Sequence, residues 1–313
     1  MSVFDKRFVI VGGKGGVGRT TVAAALALAA SRRGKRVLLA QARSKERLSS
    51  LLGGPPVRTE IVRVRENLEA VNVWPEAALR EYGLMVLRSQ LVYRAVFENR
   101  LSRAFIRAIP GVDDYSILGK VWFHTTERDR AGRPLYDLVI FDGPATGHAV
   151  TLLSIPQAIL DAVPEGPLTR DARSARDLLR DPERAAMVLV TLAEEMPVNE
   201  TIELAGKLRE RAGIPLGPLV VNQLYPPRFA TGPSARALEA LPETTGDAAL
   251  DPLLHRARIA MRRRRMNDRY LERLREALPL PQAQLPYLFA PRLGPDQLED
   301  LSRRLEAQLL ASA

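Results

Sequence analysis

The stretch VGGKGGVGRT, Val11 to Thr20, constrains the fold more than any other part of the chain. Glycines at 12, 13, 15, 16 and 18 separate an apolar run, RFVIV (Arg7 to Val11), from a helical pattern that begins near Thr20. A glycine-rich turn between a strand and a helix lets successive backbone N–H groups and the helix N-terminus face one anion, which is how a phosphate is cradled. The general pattern is G-x-x-x-x-G-K-[ST]. Gly13, Gly18 and Thr20 hold their places, while Arg19 stands where the lysine belongs. Thr20 brings a hydroxyl suited to Mg2+.

The rest of the chain fits the fold that such a loop requires. Apolar runs bounded by turn signals recur at Arg7 to Val11, Arg36 to Ala40, Tyr136 to Phe141, Ala186 to Thr191, Pro218 to Asn222 and Gln284 to Phe289. Each reads as a strand buried on both faces, and helical patterns lie between them, so a mostly parallel sheet is expected. The fold class is α/β: a three-layer, doubly wound P-loop NTPase. Two helical stretches exceed a minimal strand–helix alternation, at about residues 75–130 and 155–185. The first carries Leu79, Leu87, Leu91, Val92, Ala95, Val96 and Phe105 as an apolar stripe; the second is broken by Pro164, Gly166 and Pro167. No repeat or flexible linker marks a boundary, so residues 1–313 are expected to form a single domain with helical inserts.

Composition removes several function classes. The 313 residues contain no cysteine, which excludes disulfides, zinc thiolate sites and soft-metal thiolate sites. His124, His148 and His255 share no metal-ligand spacing. The longest apolar run, Val22 to Ala30, is far shorter than the roughly 20 residues of a membrane span. No signal-peptide core precedes the phosphate loop, and a soluble, cytoplasmic protein is expected. The net charge of +10 admits an anionic partner. Its densest cluster, MRRRRMNDRYLERLRE from Met261, reads either as a solvated helix face or as an anionic contact; without a nucleic-acid module, the first reading is preferred.

The strand at Tyr136 to Phe141 runs into FDGPATGH, Phe141 to His148. A carboxylate at the C-terminal tip of a strand beside the phosphate loop is where a P-loop protein holds magnesium's waters, which selects Asp142. Here the chain resembles a known family. Lys14 in GGKGGVGRTT looks like the signature lysine of the deviant Walker A ATPases. DGPATGH resembles the switch II segment of the ArsA/GET-type branch, which includes arsenite-pump and tail-anchored-protein-targeting ATPases. VVNQLYPP (Val220 to Pro227) is similar to that family's Asn-Gln-Leu adenine motif, LPYLFAP (Leu285 to Pro291) to its late adenine loop, and Leu189 to Leu208 to the strand and helix ahead of the Asn.

The resemblance implies ATP and Mg2+ as cofactors and a dimer closed around the nucleotide. It assigns Gly13, Lys14, Gly15, Gly16, Val17, Gly18, Arg19, Thr20 and Thr21 to the phosphates. It assigns Asn222, Gln223, Ala290 and Pro291 to the adenine side, Thr20 and Asp142 to the metal, and catalytic roles to Asp142 and Lys14. Lys14 would reach the partner's nucleotide, and the Asn222 amide would pair with the adenine edge.

Two departures bear on turnover. Arg19 replaces a compact ammonium by a longer planar fork, which is not a conservative change at a tight phosphate site. The family's switch I aspartate, which orients the attacking water, falls at Arg43, followed by Ser44, Lys45 and Glu46. The expectation is therefore an ATP-binding, dimerising protein that couples nucleotide state to its helical inserts, with weak or lost hydrolysis. It would act as a homodimer or beside a related ATPase chain. An active ATPase that targets or chaperones a hydrophobic client, and a nucleotide-dependent scaffold on membrane or DNA, stay open as alternatives. The insert's one methionine, Met85, argues against a methionine-rich client groove, and the missing cysteines argue against arsenite and a zinc-bridged dimer.

Overall fold

The apolar runs at 8–12, 37–41 and 138–142 are buried residue after residue. A strand with no polar face needs cover on both sides, and helices crossing between parallel strands supply it. The computed structural model describes residues 2–87 and 111–312. Among these residues the strands are β1 (Phe8–Gly12), β2 (Val37–Ala42), β3 (Val62–Arg65), β4 (Leu68–Val73), β5 (Leu138–Asp142), β6 (Ala185–Leu192), β7 (Leu216–Leu224) and β8 (Gln282–Pro286). They form one sheet in the order β3-β4-β2-β5-β1-β6-β7-β8, parallel throughout except for the β3–β4 pair. The helices are α1 (Arg19–Arg32), α2 (Leu48–Leu52), α3 (Pro75–Leu87), α4 (Val112–Thr126), α5 (Thr146–Ala162), α6 (Pro167–Arg180), α7 (Glu195–Lys207), α8 (Gly232–Ala240), α9 (Leu250–Ala277) and α10 (Pro295–Ala311).

Side chains on β1 alternate between two cores, and this defines the three layers. Phe8 and Ile10 join residues of α4, α5, α6, α7 and α9, whereas Val9 and Val11 join α1, α2 and α10. Every residue from Val22 to Ser31 in α1 is buried. Its run of alanines lets the helix lie close between the sheet and α10, where the Ser302 hydroxyl donates to the Ala25 carbonyl at 2.7 Å. A helix that is apolar all round belongs in such an interior position.

The expectations for strands and helices need three corrections. No strand is expected between Ala40 and Tyr136, yet β3 and β4 form a hairpin there, with Asn67 at φ +55° in its turn. VRVR is an edge strand with one wet face, and Glu69 and Asn72 interrupt the apolar run in β4, so neither looks like a strand buried on both faces. β8 lies two residues earlier than the Gln284 to Phe289 run, and its burial alternates because it is the other edge of the sheet. Tyr287 still donates its N–H to the Leu224 carbonyl of β7 at 2.8 Å, and Leu288 and Phe289 lie beyond the strand. The second helical stretch starts at Thr146, ahead of Ile155, and carries Pro156 inside α5; β6 begins at Ala185. Leu91, Val92, Ala95, Val96 and Phe105 lie outside the described residues, as do the side chains of Met85 and Leu87.

The basic stretch on α9 lies on a largely solvated face, and three of its arginines are engaged within the chain. Arg263 faces Glu194 at 3.4 Å, Arg264 donates to the Tyr225 carbonyl at 2.9 Å, and Arg265 pairs with Glu239 at 2.6 Å. Between these contacts, buried Asn267 accepts from the Tyr225 N–H and donates to the Ala193 carbonyl, both at 3.0 Å. The helix thus ties down the chain where it leaves β6 and β7. Asn267→Ala would leave both backbone groups unpaired and is expected to cost about 1–3 kcal/mol. Urea denaturation should show a lower midpoint at unchanged slope; a midpoint equal to wild type would refute the clamp.

Candidate functional site

The loop from Gly12 to Gly18 joins the central strand to α1, and its conformation explains its glycines. Gly13, Gly16 and Gly18 have φ of +149°, +90° and +93°. A Cβ on Gly13 would lie 2.1 Å from the Val190 carbonyl oxygen, and one on Gly18 would lie 2.3 Å from Asn222 Nδ2. Gly18 caps α1 without any side chain, so the first-turn N–H groups stay available to an anion. Val17 is buried beneath the loop, whereas Gly15 and Gly16 are exposed at its crest.

Sheet register brings the polar groups together at this edge. Asp142 is the β5 partner of both Val11 on β1 and Gln41 on β2. The Thr20 hydroxyl donates to Asp142 Oδ2 at 2.6 Å, and Gln41 Nε2 donates to the same oxygen at 3.0 Å. The Arg19 guanidinium donates to the Gly143 carbonyl, which links the phosphate loop to the segment after β5. Burial raises the Asp142 carboxyl above its ordinary range, against the opposing effect of the Thr20 and Gln41 bonds and the Arg19 charge. Burial also lowers the Arg19 pKa, with Asp142 acting in the other direction.

The remaining candidate residues fall around this centre. Lys14 Nζ pairs with Glu200 Oε1 of α7 at 2.5 Å, each about one-third exposed. Asn222 braces the loop: its amide donates to the Val17 carbonyl at 2.9 Å, and its oxygen accepts from the Gln223 N–H at 2.9 Å. Any adenine contact would fall to its second amide hydrogen and the second lone pair of its oxygen. Exposed Gln223, at φ +57°, lines a neighbouring hollow with Tyr225 and Tyr287. Those two rings stack at 5.1 Å, and Phe289 packs edge-on against both. Ala290 and Pro291 are not in the cleft wall; the next two residues, Arg292 and Leu293, are.

In the loop after β2, the Arg43 side chain turns outward to Asp114 of α4, with Asp113 at 4.0 Å. Glu46 accepts from the Ser49 N–H at 2.8 Å and the Ser49 hydroxyl at 2.6 Å. Desolvation alone would raise its carboxyl, but the bonds from Ser49 and from backbone N–H groups outweigh it and hold the group low. Glu46 therefore caps α2, and both its oxygens are engaged.

A cleft of about 470 Å3 is lined by Gly16, Gly18, Thr20 and Thr21 with Arg47, Arg292 and Leu293. A second hollow of about 420 Å3 shares Arg19, Thr20 and Arg47 with it and continues to Arg43, Lys45 and Asp142. Among the described residues they hold five basic side chains, Arg19, Arg43, Lys45, Arg47 and Arg292, against one carboxylate. Polyphosphate fits this lining. A hydrated Mg2+ fits beside it: buried Gln41 Oε1 has no donor, and waters of the ion can donate both to it and to Asp142. Among the described residues no group of three or more His, Cys, Asp or Glu could hold a metal, so the cation needs phosphate oxygens to complete its shell. Gln41, Arg47 and Arg292 escape sequence reasoning. Gln41 alone has a signal, as the polar residue that ends a buried strand next in the sheet to Asp142.

The anion-transporting ATPase family, ArsA, matches residues 6–165 and 167–241 of the chain. The match takes in the phosphate loop, Asp142 and Asn222, and stops before Ala290. Over 238 residues the chain is 29% identical to ATPase BagA of Mycobacterium tuberculosis, covering 74% of this chain and 69% of that protein. It is 24% identical to ATPase GET3 of Kluyveromyces lactis over 75% of this chain and 76% of that protein. A Halobacterium salinarum protein provisionally named as an arsenical pump-driving ATPase is 25% identical over 95% of this chain and 44% of its own length.

The raised Asp142 pKa carries a stability consequence. The folded state holds this proton more tightly than the unfolded chain, so stability is lost as pH rises from the ordinary value of 3.8 through the folded pKa. Asp142→Asn removes that loss. Without nucleotide, the variant is expected to melt above wild type at pH 7, with the advantage vanishing toward pH 4. Thermal melts across this range check it, and a variant melting lower at pH 7 would contradict it.

Proposed function

We propose that this chain, which belongs to the anion-transporting ATPase family, binds Mg-ATP in the basic cleft at the head of α1 and turns it over weakly or not at all. One observation carries this reading: groups suited to bind a polyphosphate line the cleft, but among the described residues Asp142 is the only carboxylate lining the hollow beside it, and Thr20 and Gln41 already hold it. The loop N–H groups and Arg19 would receive the phosphates, with Arg47 and Arg292 neutralising charge from the rim. Thr20, Asp142 and Gln41 would hold Mg2+ and its waters. The ion would neutralise charge on the phosphate oxygens.

Hydrolysis needs a group that orients a water against the terminal phosphate. Arg43 cannot accept a proton, and Glu46 is committed to the α2 cap. Because phosphoryl transfer depends on positioning and electrostatics, losing the water-orienting group costs orders of magnitude in rate. Lys14, one-third exposed on the rim and paired, among the described residues, only with a surface glutamate, supports the dimer part of the reading: on leaving Glu200 it would be free to meet the nucleotide of a second subunit. That subunit is either a second copy or a related, active ATPase chain.

An apolar groove of about 230 Å3 between α3 and α4, lined by Ala78, Leu79, Gly119 and Phe123, favours a second reading, an ATPase acting on a hydrophobic client. The scaffold reading has less support, because three arginines of the α9 stretch are engaged within the chain.

Equilibrium binding of a fluorescent ATP analogue and phosphate release, measured on one preparation, separate these readings. The expected result is saturable, Mg2+-dependent binding with phosphate release near background, and a mass that doubles with ATP in light scattering. Turnover that Asp142→Asn abolishes would overturn the weak-hydrolysis reading in favour of an active ATPase. Absence of binding would overturn the nucleotide site itself.

A further inference from the structure

We propose that Arg43 is the residue by which this chain distinguishes a nucleoside triphosphate from a diphosphate, and that its contact with Asp114 is the latch that the terminal phosphate opens; the proposal rests on the cleft being a nucleotide site. Arg43 follows directly on β2 at φ +45°, in the left-handed region that disfavours residues with a side chain. Its backbone is held on several sides. The Arg43 N–H donates to the Val73 carbonyl at 3.1 Å, the Ser44 N–H donates to Asn72 Oδ1 at 3.2 Å, and Asn72 Nδ2 returns a bond to the Ser44 carbonyl at 2.6 Å. Asn72 is itself buried on β4. With the backbone pinned in this way, the side chain keeps the freedom, and 41% of it is exposed.

Two positions for the guanidinium follow from the charges around it. Arg43 shares its hollow with Arg19, Lys45 and Arg47, all of its own sign. Without an anion between them, these groups push the guanidinium outward to Asp113 and Asp114 in the first turn of α4. That helix N-terminus stabilises the aspartates even when the arginine leaves, and both are partly exposed, so opening the latch strands no buried charge. A polyphosphate reverses the sign of the hollow and offers oxygens that a guanidinium binds in a two-pronged manner. A diphosphate ends one phosphate short, leaving Arg43 on Asp114. The position that the family uses to orient a water would here sense the terminal phosphate and report it to α4.

The test titrates wild type, Arg43→Ala and Asp114→Asn with fluorescent ATP and ADP analogues at fixed Mg2+, and follows amide hydrogen exchange at the start of α4. Arg43→Ala should reduce the preference for ATP over ADP by about tenfold or more. Asp114→Asn should tighten ATP by roughly twofold to fivefold while leaving ADP unchanged. In wild type, ATP should speed exchange in the first turn of α4 and ADP should not. If Arg43→Ala weakens both nucleotides equally, or Asp114→Asn leaves the preference unchanged, the latch is wrong while the nucleotide site stands. If wild type binds neither analogue, the site reading fails and the latch fails with it.

Discussion

A parallel sheet places the C-terminal end of every strand on one edge, and the chain's polar chemistry depends on that constraint. β1 lies near the middle of the order, with β5 on one side and β6 on the other. The register sets Val11, Asp142 and Gln41 in one row, directly below the loop that leaves β1. A shift of one residue would turn Asp142 to the opposite face of the sheet. The bond from Thr20, the contact between Arg19 and the Gly143 carbonyl, and the hollow that opens toward Arg43 all follow from this row.

Placing a carboxylate there has a cost, which the raised pKa of Asp142 reports. Thr20, Gln41 and Arg19 offset part of it, and a cation with its waters would offset more. Arg19 has a double part in this. It adds positive charge to the cleft at the head of α1, and its long fork also reaches the carbonyl after β5. A lysine would present one compact charge and fewer directed donors. The substitution therefore suits a chain that joins its loop to the segment after β5 more than one tuned for phosphoryl transfer.

Arginines in this chain work in two settings. On α9 they meet carbonyls and carboxylates of the segments leaving β6 and β7, and act with Asn267 as structural ties. Around the cleft, Lys45 and Arg47 meet no carboxylate among the described residues, and Arg43 meets Asp113 and Asp114 only by turning away from the hollow. The net charge of +10 is the sum of both groups and says little about either alone.

Much of this architecture was legible in the residues. Continuous apolar runs mark strands covered on both faces, because burial leaves no place for a polar side chain. Glycines at 13 and 18 mark backbone conformations and close approaches that other residues cannot make. Asp142 was visible because a carboxylate at the tip of such a strand has few other reasons to be there. The hairpin of β3 and β4 was not legible, since an edge strand with one wet face looks like a loop. Nor were Arg47 and Arg292, which come from distant segments and meet only across the cleft. Glu46 stands three positions after Arg43 in the sequence, and only the structure shows that its carboxylate is taken up by Ser49 at the head of α2. Sequence alone determined the fold class and the phosphate loop, because both rest on local patterns of burial and backbone freedom. Tertiary structure alone decided which charges face the cleft and which are spent elsewhere, because a side chain's partner depends on what the sheet brings beside it.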